Sequence, residues 1–446
     1  MSKINTIAAI DIGTTKIVAI VGTRDEKGNV NVLGFGVAPS KGVSRGSVQN
    51  VGEVSSAIKQ AVQNCHRSSG VVFRNVFVGI AGQNIRTIET SHTKFISTSF
   101  ISQNDIDELT KEVYNLNKET GEEIIHVIPQ SYTVDNHSVG LNPVGCSGKS
   151  LGGTFYVVIG RANAVQKLRQ AIEMAGLQVV KIVLQSIASG DAVLTNDEKE
   201  VGTLVADIGA GTTDVAIYQD KVLRNISVIP FGGNSITEDI KTACQILSRQ
   251  AELLKIQHAA AIPDSNSDKT LVVINSERRS GKEVSLADIA AITSARMDEI
   301  VAGIANVLNE SKYGDRISQI AITGGGSRLK SLTTLVKYRL GKEVEQMKPR
   351  NFSAESCPKL FNVEYSTAVG LLVKGIEYME NYWESVKGGD NEQGDVNSED
   401  SKQVGANSPS GEKKAEKKKE KKPGFMSWVN DRLKSFFAED ENASKL

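Results

Sequence analysis

Two stretches of this 446-residue chain repeat one pattern, and that repeat constrains the fold more than any other feature. Residues 7–22, IAAIDIGTTKIVAIVG, and residues 203–218, TLVADIGAGTTDVAIY, each give an apolar run, then Asp-Ile-Gly, a turn of small residues and a second apolar run. Short apolar runs broken by glycine read as strand, tight turn, strand. The two aspartates, Asp11 and Asp207, stand 196 residues apart, so the chain reads as two related halves with a cleft between them. Length agrees, since domains of about 100 to 200 residues give two to four structural units.

The rest of the chain divides around the repeat. The first half, 1–83 and 162–200, is interrupted by 84–161, where the texture changes. A β-rich run comes first, then the amphipathic helix SQNDIDELTKEVYNL with Ser102 as its N-cap, then the β-rich runs EEIIHVIPQSYTV and GTFYVVIG. This is an inserted strand, helix, strand, strand unit. The second half, 201–234 and 316–385, carries an insertion of its own, 235–315, expected to be helical around the irregular stretch PDSNSDKTLVVINSERRSG. Residues 386–424 contain no Leu, Ile, Met or aromatic side chain, so they cannot bury enough surface to fold and are expected to form a disordered linker.

Composition excludes several classes. Lys and Arg number 52 against 52 Asp and Glu, so net charge gives no reason to expect nucleic acid as a partner. Cys65, Cys146, Cys244 and Cys357 are scattered, with no CxxC pair, which fits a reducing cytoplasm and neither a zinc site nor a disulfide framework. The start, MSKINTIAAIDIG, is too short in apolar residues for a signal peptide, and no uninterrupted run of about 18 apolar residues occurs, so no membrane span is expected.

Successive small residues at a hairpin turn expose backbone N–H groups and let the main chain approach a ligand, which makes a nest for phosphate oxygens. Thr14, Thr15, Thr212 and Thr213 add hydroxyl donors. An aspartate before the turn repels phosphate unless a divalent cation lies between, usually through water, so Asp11 and Asp207 read as Mg2+ residues. One such turn is an ordinary strand end; two in matched contexts would grip a polyphosphate from both sides. A third element, ITGGGSRLK, puts Gly324, Gly325 and Gly326 where backbone can pass flat against a nucleoside, although it lacks the GxGxxG spacing of a dinucleotide fingerprint.

Together these elements resemble the actin and Hsp70 ATPase superfamily, in which two related halves close over a nucleotide. The resemblance implies an actin-like α/β fold, two RNase H-like halves around the cleft, each with an inserted subdomain. It implies phosphate contacts from Gly13, Thr14, Thr15 and Lys16 on one side and from Gly209, Gly211, Thr212 and Thr213 on the other. The nucleoside falls to Gly232 and Gly233 of PFGGNSITEDI, Glu252 and Lys255 of AELLK, and Gly324, Gly325, Gly326 and Arg328. Gln185, in VLQSIASGDAV, falls where the superfamily places the residue that orients the attacking water. Other readings stay open: Glu252 and Lys255 as a solvated ion pair, Gln185 as a strand-end residue bonded to backbone, and Lys16 as surface charge.

The insertion follows NVFVGIAG, and its placement, with RANAVQKLRQAIEMAGLQVVKIVLQSIAS, resembles the FtsA family of bacterial cell-division actin homologues. That resemblance implies ATP and Mg2+ as ligands, a protein that polymerises, the C-terminal peptide of FtsZ and later divisome proteins as partners, and a place on the cytoplasmic face of the inner membrane at the division site. Chemistry would be a weak ATPase at most, secondary to scaffolding. The alternatives are a phosphotransferase or chaperone-like ATPase, and a pilus-assembly actin homologue.

The C-terminal segment can be read without the family. At about 100° per residue, Phe425, Met426, Val429, Leu433, Phe436 and Phe437 share a face of roughly 120°, with Trp428 on its flank. Upstream, residues 412–424 hold seven lysines against three glutamates. An apolar helix face beside a basic run suits anionic lipid, although docking on the protein's own body or on a partner remains the other reading.

Overall fold

A computed structural model of the chain describes residues 6–390 apart from 26–27, 83–84, 117, 264–270 and 277–278. Residues up to Glu377 form one compact unit, and Tyr378–Leu446 a second, of which the end of one helix is described.

The two repeats fold as two hairpins in two sheets of like order. In the first sheet Ile7–Ile12 lies between Lys16–Arg24, antiparallel to it, and Asn75–Ile80, parallel to it; Val30–Pro39 flanks one side and Gln178–Leu184 the other. In the second sheet Thr203–Ile208 lies in the same way between Thr213–Gln219 and Gln319–Thr323, with Val222–Ile229 and Glu343–Gln346 outside them. The registers also agree, with Asp11 opposite Val18 and Asp207 opposite Asp214. Strands buried on both faces read as nearly continuous apolar runs. Ile10, Ile17 and Ile20 are fully buried, and each such side chain contributes about 1.5 to 3 kcal/mol of transfer free energy.

Helix Val51–Ser69 covers one face of the first sheet. It starts where the Asn50 side chain accepts the Glu53 N–H at 3.2 Å, and it stops at Gly70, whose φ of 71° is left-handed. It packs backbone to backbone on the sheet: a Cβ on Gly36 would stand 2.2 Å from Ala61 O.

The first insertion is a four-stranded antiparallel sheet in the order Ile85–Phe95, Ser150–Arg161, Glu122–Val134, His137–Gly140, with helix Gln103–Tyr114 against it. Ser102 caps that helix in a reciprocal box with Asp105. Leu109, Val113, Leu151, Phe155 and Val157 form a core of its own.

Three features differ from the sequence reading. The second insertion holds helices Gly233–Cys244, Ser248–His258 and Leu286–Glu310, but also an antiparallel hairpin, Leu271–Ser276 with Arg279–Ser285. The β-branched run in LVVINS makes a strand of part of the stretch expected to be irregular. Residues Phe352–Glu377, expected with the second half, return to the first. Phe352–Ser353 extends the first sheet beside Val30–Asn31, and Leu371 and Leu372 of helix Ser366–Asp390 close on Gly79 and Gly22. Finally, that helix runs to Asp390, past the Ser385 expected as its end. The expected linker therefore begins inside a helix, and the remainder of it, with the apolar face from Phe425 to Phe437, lies outside the described residues. Among the described residues no helix is long and apolar enough to cross a membrane, and all four cysteines are free thiols.

Candidate functional site

The two turns face each other across a cavity of about 790 Å³, within the usual range for a small-molecule site. They are built alike: Gly13 N–H donates to Lys16 O at 3.0 Å, and Gly209 N–H to Thr212 O at 2.9 Å. They also approach closely, since a Cβ on Gly211 would stand 2.5 Å from Thr14 Oγ1. Gly13, Thr14, Thr15 and Lys16 line the cavity on one side, and Gly209, Gly211 and Thr212 on the other.

Thr213 does not. It is the first residue of its strand, fully buried, and its hydroxyl donates to Phe231 O at 2.9 Å, so strand alternation turns it away from the cavity. The next residue, Asp214, faces the cavity in its place. The sequence reading missed this carboxylate; the signal was the repeat itself, where the matching position is Val18.

Asp11, Asp207 and Asp214 are all buried, and the electrostatics follow. Desolvation, with Asp207 nearby and against Lys16, pushes the Asp11 carboxyl up to about 7. Desolvation with Asp207 and Asp11 nearby pushes Asp214 up to about 7, against the Thr212 hydroxyl 3.0 Å away. Asp207 is raised by desolvation too, partly offset by the Thr367 hydroxyl, which donates to its Oδ2 at 3.0 Å. Asp214 Oδ1 is buried with no protein partner. Three buried carboxyls, each raised by desolvation, and an unpartnered buried oxygen fit a divalent cation placed among them. Among the described residues no three His, Cys, Asp or Glu side chains are grouped to ligate a metal directly, so Mg2+ here would be held through water.

Cations stand at the rim. Lys16 is depressed by desolvation; its ammonium lies 4.2 Å from the centre of the Tyr365 ring and 4.0 Å from Glu364. Glu364 also accepts from Arg328 at 2.9 Å, so one carboxylate joins a cation of the first turn to one of the third glycine motif. Glu364 and Thr367 carried no signal in the sequence: they follow an irregular segment and reach the site only through the fold.

Of the residues expected around a nucleoside, Gly233, Glu252, Lys255, Gly324, Gly325, Gly326 and Arg328 line the cavity, and Gly232 does not. A Cβ on Gly232 would stand 2.5 Å from Gly209 O, so its glycine serves the second turn. Glu252 and Lys255 are an ion pair at 2.7 Å, and the ammonium also donates to Gly233 O at 3.0 Å and Thr237 Oγ1 at 2.9 Å. The pair thus lines the cavity and fixes the start of helix Gly233–Cys244 at once. Gly324 and Gly326 are demanded by the protein, since a Cβ on either would fall within 2.5 Å of Asp207 or Ile208. Gly325 is not: a Cβ there would meet no protein atom within 4 Å. Gln185 is the first residue of helix Gln185–Val193, and its amide donates to Asp11 Oδ1 at 3.0 Å and to Ile12 O at 3.4 Å.

Two sheets of like order, each with an Asp-Ile-Gly hairpin turned into a shared cleft, define an actin-like ATPase fold. The solved PilM–PilN type IV pilus biogenesis complex has a similar fold, with a TM-score of 0.62 at 16% identity over 83% of this chain and 98% of that one. Family models narrow the class. Residues 204–370 match that of the cell division protein FtsA, and residues 82–159 that of the SHS2 domain inserted in it. The cell division protein FtsA of Neisseria meningitidis is 33% identical over 82% of this chain and 89% of its own length. Those of Pseudomonas aeruginosa and Escherichia coli K12 are 32% and 28% identical, each over 83% of this chain. The chain belongs to the cell division protein FtsA family.

Proposed function

We propose that the chain binds ATP with Mg2+ in this cleft, assembles with copies of itself, and links FtsZ filaments to the cytoplasmic face of the inner membrane at the division site. The observation that carries the nucleotide reading is the pair of matched turns facing one another across a cavity that also holds three buried carboxyls. Gly13, Thr14, Thr15, Gly209, Gly211 and Thr212 would take phosphate oxygens on backbone N–H and hydroxyl groups. Lys16 would meet the outermost phosphate, and Asp11, Asp207 and Asp214 would take the waters of the cation. Mg2+ would neutralise phosphate charge when bound. Gln185 sits beside Asp11, where a water attacking the terminal phosphate would be oriented. Calorimetry of Mg2+-dependent ATP binding to the full chain and to its Asp207→Ala variant tests the site; equal affinity would overturn it.

Self-association is assigned to the inserted unit, 84–161. It lends no phosphate-binding turn, and it exposes Phe95, Phe100 and Val144 at one end, where Ile96 N–H bonds Lys149 O and Ile101 N–H bonds Cys146 O. Exposed apolar groups gathered in this way suit a protein contact. The FtsZ peptide is assigned to 235–315 on family grounds. Arginine in that insertion, which an acidic peptide would seek, gives the assignment little support. Arg296 is already taken by Asp239, at 2.6 and 2.9 Å, and by Glu299, and Arg278 lies outside the described residues. Exposed Leu247 and Leu253 on and beside helix Ser248–His258 offer apolar surface instead. The anchor is assigned to the apolar face of 425–437, with later divisome proteins as further partners of the assembled polymer.

A further inference from the structure

One strand of the inserted unit reaches both halves of the molecule, beside further contacts that Tyr156 of the neighbouring strand makes with Asn225 and Ile226. Glu122–Val134 pairs with Ser150–Arg161, but its register slips twice, leaving Ile125 and Gln130 without an opposite residue. An extra residue of this kind bends the strand and re-aims its neighbours. Beside the first slip, His126 Nε2 accepts the N–H of Leu184 at 3.1 Å. At the second, the Gln130 amide donates to Leu223 O at 2.9 Å, and its carbonyl and side-chain oxygens accept Arg224 Nη1 at 3.0 and 3.2 Å. Leu184 ends an edge strand of the first sheet, and Leu223 and Arg224 lie in an edge strand of the second. The two bulges thus aim at opposite halves.

The contact on the first half lies one residue from the site. Leu184 is the N-cap of the helix whose first residue, Gln185, holds Asp11 Oδ1 and Ile12 O. The Gln185 side chain has little slack, for a Cβ on Gly79 would stand 3.0 Å from its Cγ. Desolvation, reinforced by Lys181 and Lys374, pushes His126 down to about 3, so the imidazole is neutral and Nε2 keeps the lone pair that the Leu184 N–H needs.

We propose that His126 is a positioning residue for Gln185, and that through it the strand Glu122–Val134 makes the inserted unit respond to what occupies the cleft. The inference rests on the nucleotide reading above. A ligand that draws the two turns together moves both edge strands, and the strand bonded to both of them by side chains at its two bulges must take up the change. The inserted unit is then ordered differently with and without ligand, which gives the surface it exposes a reason to depend on the cleft.

Amide hydrogen exchange read by mass spectrometry on the full chain, with and without Mg2+ and a non-hydrolysable ATP analogue, tests this. In the unaltered protein the analogue should slow exchange in peptides carrying Asp11 and Gly209, and in those covering 122–134 and Leu184 by about tenfold, the scale of one well-formed hydrogen bond. His126→Leu, which has no acceptor, should keep the slowing at the turns and lose it over 122–134. His126→Gln, which can accept the Leu184 N–H, should restore it. Slowing at the turns with no change over 122–134 in the unaltered protein overturns the inference and leaves the nucleotide reading standing. A response over 122–134 that survives in His126→Leu also overturns it. Absence of slowing anywhere at saturating analogue overturns the nucleotide reading, and this inference with it.

Discussion

The side-chain amide of Gln185 donates to Asp11 Oδ1 at 3.0 Å, which joins the residue proposed to orient water to a carboxyl proposed to hold the cation. With Nε2 committed to Asp11, only Oε1 is left to accept from a water. Gln185→Ala removes that acceptor without changing a residue of either glycine turn. ATP affinity should stay within about threefold, while single-turnover hydrolysis falls by about 100-fold, the usual scale for a lost proton-handling or water-orienting group. Unchanged hydrolysis in the variant would leave Gln185 a packing residue.

The buried carboxyls give the site a pH dependence with a definite sign. Asp11 and Asp214 are raised to about 7, so without ligand both are substantially protonated at neutral pH, whereas water-mediated Mg2+ binding needs them ionised. Binding should therefore release protons, and affinity for Mg2+ with ATP should rise from about pH 6 to about pH 8. For the unliganded chain the sign is reversed. A carboxyl raised on folding favours the native state below its unfolded value, and that advantage is lost as pH climbs through the folded one. Over the same window, unliganded Tm should fall while the increment in Tm from Mg2+ and ATP grows. Calorimetry in two buffers of different ionisation enthalpy counts the protons; none released near pH 7 would refute the assignment.

How much of this was legible in the sequence depended on distance along the chain. The Asp-Ile-Gly hairpins were, because a hairpin is local and a repeat shows itself twice. Ser102 as a helix cap was legible for the same reason, its partner Asp105 being three residues on. Asp214 was half-legible, one strand position beyond the threonine chosen in its place. Glu364 and Thr367 were not, nor was His126, because the first two reach the site and the third reaches Leu184 only by packing between segments far apart in sequence, and no periodicity encodes that. The return of Phe352–Glu377 to the first half was hidden likewise: helix Ser366–Asp390 reads as apolar on its inner face whichever sheet it covers.

The three glycines of the third motif separate fold from function. Gly324 has a φ of 82°, and a Cβ there would fall 2.2 Å from Asp207 Oδ1. Gly324→Ala should therefore lower stability by roughly 1 to 3 kcal/mol in the unliganded chain, seen as a lower Tm. Gly325 has free space around it and a negative φ, so Gly325→Val should leave Tm unchanged and weaken ATP binding, by filling space the nucleoside would use. A variant at 325 with unaltered affinity would move the nucleoside elsewhere in the cavity.

In the proposed site Glu364 would compete with phosphate for two cations. Its carboxylate lies 4.0 Å from Lys16 and 2.9 Å from Arg328, at the rim of the cavity. Glu364→Gln removes a negative charge close to where a polyphosphate would lie and frees both cations for it. At low salt, affinity should rise by about threefold to tenfold, more for ATP than for ADP, and the gain should shrink as ionic strength increases. Weaker binding in the variant would mean that Glu364 holds Lys16 in its binding position.

The proposed membrane anchor rests on the sequence, since residues 391–446 lie outside those described. Two contributions would act together on anionic lipid. The apolar face expected from Phe425 to Phe437 would supply the main attraction, and each lysine close to the surface in 412–424 would add up to about 1 kcal/mol before screening. One short helix of this kind binds reversibly, whereas many such helices in one polymer hold the array in place. Phe436→Glu, which puts a charge into the apolar face, should abolish sedimentation with liposomes of mixed zwitterionic and anionic lipid. Raised salt should only weaken sedimentation of the unaltered chain, because it screens the lysines and leaves the apolar term intact. Removing Phe425–Leu446 should give a protein that no longer sediments with liposomes yet binds ATP with unchanged affinity. If that shortened chain still sediments as fully as the intact one, the membrane contact lies within residues 1–424, and the terminal apolar face must cover a protein surface.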